Sequence, residues 1–543
     1  MGAGEIILVA YSQENLFLTY EPQITLFRIL YRRYSNFAIE TIKQTFPNTV
    51  KFGNKYSLEI SKNADLLHKM WLIVDLPEIP IIYDLNNIAD KKLKFKWAKE
   101  IGYAIIDYVE IEIEGKTITK HWGEYYNNLN QLNPNEFNNP IDEYIGNVPE
   151  LTTYRYTKDG ILSYRLNIPM NFWFCLNSGK TLPLIKMEYS KIKFNVQFKN
   201  LEKCSIFSPS NYIPLQSYKG NGILGEPLLQ VTQQGYAWGE FDSLDIASFN
   251  DKSMDINSYN LYYRKISDNN FITTVGLENV TTENALSGLQ KFVIYGLQSG
   301  SIFIPTSANS SNANTTLSSR SYFYNFNYDV SFKDVYVLCD FIYIDNDERV
   351  KFYNSKRNYL IDQVYQTSIF NINNLSSKNF LKTMNCCKYI IFMSQVKYFL
   401  NDNVNFNFNY YTMFFNPKII NKRLKFLKFK TKNVINKLNF LYDSSSGEDQ
   451  FEMDVYSLIN PFYGFKRAVN DSGFGIKTFA LYTQNDQPSG STNTSAFNTL
   501  ELNARLNRID DNYNRYLFRA YCVTYNYLTF TDGITGTIFT DAY

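Results

Sequence analysis

An all-β chain divided into two domains is what this sequence predicts, and three observations carry the prediction. Many short stretches alternate apolar and polar residues with a period of two. Helical periodicity sustained over several turns is absent, and turn formers separate the strand-like runs, a texture typical of sandwiches or barrels. At 543 residues the chain exceeds what one hydrophobic core reaches, roughly 250 to 300 residues.

Residues 331–364 are the stretch around which the rest is organised. Val335, Val337, Cys339, Phe341 and Tyr343 alternate with Tyr336, Leu338, Asp340, Ile342 and Ile344, and β-branched and aromatic residues dominate both sets. The run stops at Asp345, where the charged cluster DNDER breaks it, and a second extended segment begins at Tyr359. This pattern reads as a join where one β-domain closes and another opens.

In chain order, residues 1–24 form an arm of short apolar runs and turn formers, expected to dock on the body. From Ile24 the pattern turns strand-like, with Leu26 and Arg28 on one face and Phe27, Ile29 and Tyr31 on the other. Strands follow at 56–61 and 69–76, the latter stopped by Pro77 and Pro80. In 105–113, Val109, Ile111 and Ile113 face the core while Glu110, Glu112 and Glu114 are expected to face water. Glu114-Gly115-Lys116 is a tight turn into 117–120, giving a hairpin. Residues 125–132 are a short helix ended by Pro134. Strands at 164–174 and 185–198 flank the loop 176–179. Residues 201–330 hold weaker strands (261–264, 291–297, 301–304) and a Ser/Asn/Thr tract at 307–319 that reads as a surface loop. Because the strand at Val335 resumes the earlier pattern, 201–330 is an insertion in the first domain.

The second domain offers strands near 359–369, 389–393, 404–415, 434–441, 476–482, 499–506 and 516–530. The order of textures repeats. A strand with Ile168 and Phe172, a glycine loop, a strand at 187–198 and a late strand at Val335 correspond to a strand at Phe479, Pro488-Ser489-Gly490, a strand at 500–506 and a late strand at 520–528. One fold is used twice.

Composition narrows the function. Hydrophobic residues at 45% and charged residues at 20% are ordinary for a globular protein. The net charge of +2 argues against a protein whose main task is coating nucleic acid, which needs a strong basic excess for counterion release, and no specific nucleic acid binding is expected. Six scattered cysteines, Cys175, Cys204, Cys339, Cys386, Cys387 and Cys522, suit a reducing compartment and no disulfide framework. No signal peptide pattern opens the chain and no run of about 18 apolar residues is present, so a soluble protein made in the cytosol is expected. Gly2 lacks the serine or threonine that myristoylation requires at the sixth position, which is Ile6.

Several segments together resemble the major capsid protein family of nucleocytoplasmic large DNA viruses, which includes algal virus, mimivirus and iridovirus relatives. They are LVAYSQENLFLTYEPQITLFRILYRRYSNFAIETI (8–42), DYVEIEIEGKTITKHWGEYY (107–126), IPMNFWFCLNSGKTLPLIKMEYSKIKFNVQF (168–198), DFIYIDNDERVKF (340–352) with YLIDQV (359–364), and FALYTQNDQPSGSTNTS (479–495). The resemblance implies a double jelly roll: two tandem eight-stranded antiparallel sandwiches, here 25–350 and 351–543, after the arm 1–24. It implies a homotrimer forming a pseudo-hexagonal capsomer, contacts with neighbouring capsomers and minor capsid or penton proteins, and an icosahedral shell over an internal membrane. It also places the 201–330 insertion between the last two strands of the first roll, as an external tower. The virion is the implied location, after assembly in the host cytoplasm. Residues 370–463 match the family poorly, which keeps a divergent minor capsid paralogue as the alternative reading. A β-sandwich glycan-binding protein is the alternative from another class.

No enzyme, cofactor or metal site is predicted. His68 and His121 are the only histidines, and His121 in the KHW stretch reads as a packing residue. Cys386-Cys387 cannot alone complete a four-ligand zinc site. Asp345, Asp347 and Glu348 read as salt-bridge partners of neighbours such as Arg349 rather than as a cation site. The basic stretch 418–437 interleaves lysine and arginine with Leu424, Phe426, Leu427 and Phe429, which fits either a solvated strand pair or contact with anionic lipid or nucleic acid. Sequons at Asn279, Asn309, Asn314, Asn374, Asn470 and Asn493 leave surface glycans open.

Overall fold

The computed structural model describes residues 2–539, apart from 84–91, 133–140, 154–160, 247–258, 272–292, 306–313, 316–329, 397–411, 415–430, 466–473 and 507–515 and short stretches of up to five residues elsewhere. Two jelly rolls form the body. The first consists of β1 (Phe37–Thr45), β2 (Lys55–Glu59), β3 (Leu66–Asp75), β4 (Ile106–Ile113), β5 (Lys116–Trp122), β6 (Arg165–Pro169), β7 (Ile192–Phe198) and β8 (Asp334–Ile344). These strands pair antiparallel in two sheets, ordered β1-β8-β3-β6 and β2-β7-β4-β5. The second roll consists of β9 (Tyr359–Gln366), β10 (Ser376–Phe380), β11 (Cys386–Val396), β12 (Ile435–Tyr442), β13, β14 (Phe474–Thr478), β15 (Leu500–Leu506) and β16 (Tyr516–Thr531). Its β13 comes in two pieces, Ser445–Ser446 and Phe451–Glu452, both paired with β12. The sheet orders are β9-β16-β11-β14 and β10-β15-β12-β13. Adding eight to each strand number of the first roll therefore reproduces the second, which is the expected double jelly roll.

Period-two alternation builds each core. In the first roll Leu72, Val74, Val337 and Phe341 of one sheet meet Val109, Ile111, Phe194 and Val196 of the other, all buried. In the second, Ile390, Phe392, Ala520 and Cys522 meet Leu438, Phe440, Leu502 and Ala504. Each such apolar side chain contributes about 1.5–3 kcal/mol when fully buried, alanine less. The Glu114-Gly115 turn has φ of 52° and 81°, the left-handed pair that a two-residue hairpin demands.

Several expectations need correction. Among its described residues the arm is not docked on the body: α1 (Ala3–Val9) buries no residue, and α2 (Gln13–Thr19) follows it. Ile7, Leu8, Val9, Leu18, Tyr31 and Tyr34 are exposed, and Phe27 is 98% exposed. The first strand starts at Phe37 rather than Ile24, because the described residues of the alternating run before it have no ladder partner. The glutamate face of β4 is solvated only toward its end, where Glu114 is exposed and Glu112 half-buried. Glu110 is buried, accepting from Asn195 Nδ2 of the flanking β7 at 3.0 Å and pairing with Lys55 Nζ of β2, one strand further on, at 2.6 Å. The strand at 164–174 ends at Pro169 and a helical turn, Trp173–Leu176, follows; the strand at 185–198 begins only at Ile192. The cluster DNDER is not merely a break but opens α4 (Asn346–Asn354). Of the expected strand at 404–415, only Thr412–Phe414 lies within the described residues.

The insertion is a folded unit. Strands Asn211–Lys219, Pro227–Thr232, Gly235–Ile246, Tyr259–Lys265, Ile294–Gly296 and Ile302–Pro305 pair antiparallel in a ring, closed by Asn211–Leu215 against Tyr259–Tyr263. Closure removes the unpaired edges that separate weak strands would expose. Ile213, Leu228, Leu261, Tyr263 and Phe303 share its own core. The buried Glu226 carboxylate ties the barrel's loops, accepting from the backbone N–H of Ile223 (2.9 Å), Gln298 (3.0 Å) and Ser299 (2.8 Å). Of the Ser/Asn/Thr tract, only Asn314–Thr315 lies within the described residues, as a strand against Asn211–Tyr212.

Candidate assembly surfaces

The two rolls meet along a buried seam built by α3 (Gly123–Leu132), which follows β5 without a loop. Gly123 is required at that corner, since a Cβ there would collide with the carbonyl oxygens of Tyr103 and Ile106. From α3, Tyr125, Leu129 and Leu132 pack on the outer face of the second roll's sheet, against Val364, Tyr389, Ile391, Met393, Tyr521 and Val523. The Trp122 and Tyr521 rings lie 5.5 Å apart and the Tyr125 and Tyr521 rings 5.7 Å apart. Gln363 Nε2 of β9 donates to the Ile118 carbonyl at 2.7 Å, joining the rolls through backbone.

Glu124 is the electrostatic centre of the seam. Lys199 Nζ stands 2.9 Å and Arg519 Nη1 3.1 Å from its Oε1, and all three side chains are largely buried. Burial by itself would push this carboxyl up, but the two cations outweigh burial and hold it down at about 2. At the rim, Lys180 pairs with Asp486 at 3.0 Å. Sequence reasoning missed Glu124, because its partners lie 75 and 395 residues away.

The residues singled out in the sequence are scattered over this frame. His121 is buried, stacked 5.0 Å from Phe172, with Nδ1 3.1 Å from the Tyr126 hydroxyl and Nε2 3.3 Å from Thr119 Oγ1. Burial pushes its imidazole down to about 3, so it is neutral and serves packing. His68 Nδ1 lies 2.9 Å from the Phe174 carbonyl. Asp345 caps α4, accepting from Asn346 N–H at 2.9 Å, and Glu348 pairs with Lys351 at 3.3 Å. Arg349, expected to pair with these neighbours, instead reaches Asp65 at 2.9 Å, because α4 turns its side chain back toward the start of β3. Cys387 is buried in the second core, Cys386 is partly exposed, and no metal-binding cluster occurs among the described residues. Of the basic stretch, 418–430 lies outside the described residues, and Lys437 pairs with Glu452 at 3.8 Å. Asn279, Asn309, Asn374 and Asn470 also lie outside the description, whereas Asn493 is exposed.

Known proteins carry the same arrangement. The family profile described as major capsid protein N-terminus matches residues 25–223, and that of the large eukaryotic DNA virus major capsid protein matches 348–536. Neither match includes 224–347, which holds most of the insertion barrel. The Acanthamoeba polyphaga mimivirus protein named "Probable capsid protein 4" is 29% identical over 545 residues, spanning 99% of each chain. The Phaeocystis pouchetii virus major capsid protein is 32% identical over 225 residues, 38% of this chain and 42% of its own. A chain of the PBCV-1 virus capsid shares the fold with a TM-score of 0.58 over 95% of this chain and 100% of its own, at 16% identity. Duplicated strand order, a welded seam and both family matches lead to one statement: this chain belongs to the major capsid protein family of large eukaryotic DNA viruses, and is a structural capsid protein.

Proposed function

We propose that three copies close into a pseudo-hexagonal capsomer, and that capsomers tile an icosahedral shell. The duplication carries this reading: two rolls of one topology, fixed side by side by a buried seam, give three chains six similar wedges. Residues 25–350 and 351–543 act as those wedges. The exposed apolar arm supports contacts beyond the trimer, with neighbouring capsomers and minor capsid or penton proteins. The basic stretch 418–437 contacts the anionic headgroups of an internal membrane, and assembly takes place in the host cytoplasm.

Light scattering on the purified protein tests the trimer. The expected mass is three times the chain's 63.5 kDa. A stable monomer at concentrations where shells form would sink the capsomer reading and favour a minor capsid paralogue.

We further assign residues 201–330 to the outer surface of the shell as a tower, since the barrel leaves the roll between β7 and β8 and keeps its own core. Protease added to intact particles is expected to cut within the 307–319 tract while leaving both rolls whole. Protection of that tract in intact particles would place the barrel elsewhere.

A further inference from the structure

The seam inside one chain has a counterpart that the same chain leaves exposed. In the first roll, β5 runs into α3, and α3 covers the outer face of the second roll's sheet. At the same point of the second roll, after the Phe451–Glu452 piece of β13, the chain again becomes helical, as Val455–Ile459 and then Asn460–Phe465. A tyrosine sets the correspondence: Tyr126 is buried in the first roll's core and Tyr456 in the second's. Asp454 then occupies the place of Glu124, Ile459 that of Leu129 and Phe462 that of Leu132. The outcome differs. Leu132 is fully covered, whereas Leu458, Ile459, Phe462 and Tyr463 are exposed. Leu481 and Tyr482 join them, held alongside where Thr483 Oγ1 donates to the Gly464 carbonyl.

A matching acceptor lies on the first roll. Cys339 faces Met70 across the β8–β3 ladder as Cys522 faces Ile390 across β16–β11. This register places Leu338 where the second roll has Tyr521, Tyr336 where it has Arg519, and Trp71 where it has Ile391. Leu338, Tyr336 and Trp71 are half-buried, and Phe37 and Ile39 of the adjacent β1 are exposed. Lys43 Nζ lies 3.7 Å above the Tyr336 ring, so a cation stands near the position of Arg519. Lys43 also pairs with Asp334 at 3.1 Å at the exposed sheet edge, and it is the charge that Asp454 would share, as Glu124 shares Lys199 and Arg519.

We infer that the 454–463 segment of one copy seats on the outer face of β1-β8-β3-β6 of the next copy, repeating between chains the contact that α3 makes within one. The partner is a second copy of this chain. The inference rests on the trimer reading and adds to it the residues in contact and the head-to-tail order, in which a heterologous patch pair closes a ring.

Two variants test it. A donor variant carries I459D and F462D, and an acceptor variant carries Leu338→Asp. Each alone is expected to be a folded monomer near 63.5 kDa, with folding checked by circular dichroism and mass by light scattering. Mixed in equal amounts, the acceptor face of the first and the donor segment of the second make one productive contact, giving a species of twice that mass and nothing larger. A mixture that stays monomeric, or a trimer formed by either variant alone, overturns the contact, and a wild-type trimer beside it leaves the capsomer reading standing. Wild-type protein that remains monomeric removes both. Lys43→Glu provides an acceptor variant at a surface position, in case Leu338→Asp fails to fold. Its association is expected to weaken at least tenfold and to recover when Asp454→Lys is added; no recovery overturns the pairing.

Discussion

Glu124→Gln is expected to lower the unfolding free energy by about 3–5 kcal/mol, the cost of leaving buried cations facing a neutral amide. Lys199 and Arg519 reach this carboxylate from different rolls, so the loss falls on the seam. Urea unfolding followed by tryptophan fluorescence would measure it, with Glu110→Gln as the control. Glu110's partner Lys55 is nearly half exposed, and that pair is worth about 1 kcal/mol or less. A loss at Glu124 no larger than the control's would mean that packing alone holds the rolls. The pH dependence has a definite sign. The folded carboxyl titrates at about 2, below its ordinary 4.5, so its contribution is present above pH 4.5 and disappears as pH falls toward 2.

Glu100→Gln is expected to do the opposite near neutrality. Glu100 caps the short helix Ile101–Ala104 in a left-handed conformation, φ 53°, with its Oε2 buried and without a hydrogen-bond partner. Burial pushes the carboxyl up to about 7, with Lys99 opposing and Asp142 reinforcing the rise. A folded value above the unfolded 4.5 means that stability is fully present below pH 4.5 and is lost as pH rises through 7, on the order of 3 kcal/mol. His121 slopes the other way: held neutral in the fold, it gains stability as pH rises toward 6.5. The comparison must therefore be between wild type and E100Q at pH 5 and pH 8, where the histidine contribution cancels. The variant should hold its urea midpoint at pH 8 better than wild type. Parallel loss in both proteins would show that Glu100 stays ionised in the fold.

The strands of the rolls were legible where one face is buried. The alternation at Val335–Tyr343 and at Ile192–Phe198 marks strands because every second side chain meets the opposite sheet. The repeat of textures at the ends of the two halves corresponds to β6, β7, β8 and β14, β15, β16, although the strands themselves start or stop a few residues away. Period-two alternation misled just after the arm, where Phe27, Ile29 and Tyr31 have the pattern of a strand but lie outside any ladder. The helix α4 was unreadable for the converse reason. It buries nothing, so no apolar stripe marks it, and its only signals are the acidic first turn and Lys351 in the last, which agree with the helix dipole. The assembly surfaces were the least legible part. Glu124 became central only when strands hundreds of residues apart came together, and Ile459 and Phe462 differ from core residues only in what covers them.

The pairing of β1 with β8 also sets a clock on synthesis. Thr41 and Asp340, opposite each other in that ladder, are 299 residues apart. At about 5–20 residues per second, a ribosome takes roughly 15 to 60 s to deliver β8 after β1 has emerged. The insertion barrel has all its strands out of the tunnel before then, and can fold while β1 and β3 still lack the strand that sits between them. Until β8 arrives, both present open backbone edges on a crowded polysome making many copies of the same chain. Translation speed across the barrel's codons therefore governs how long these edges can find one another in the wrong molecule.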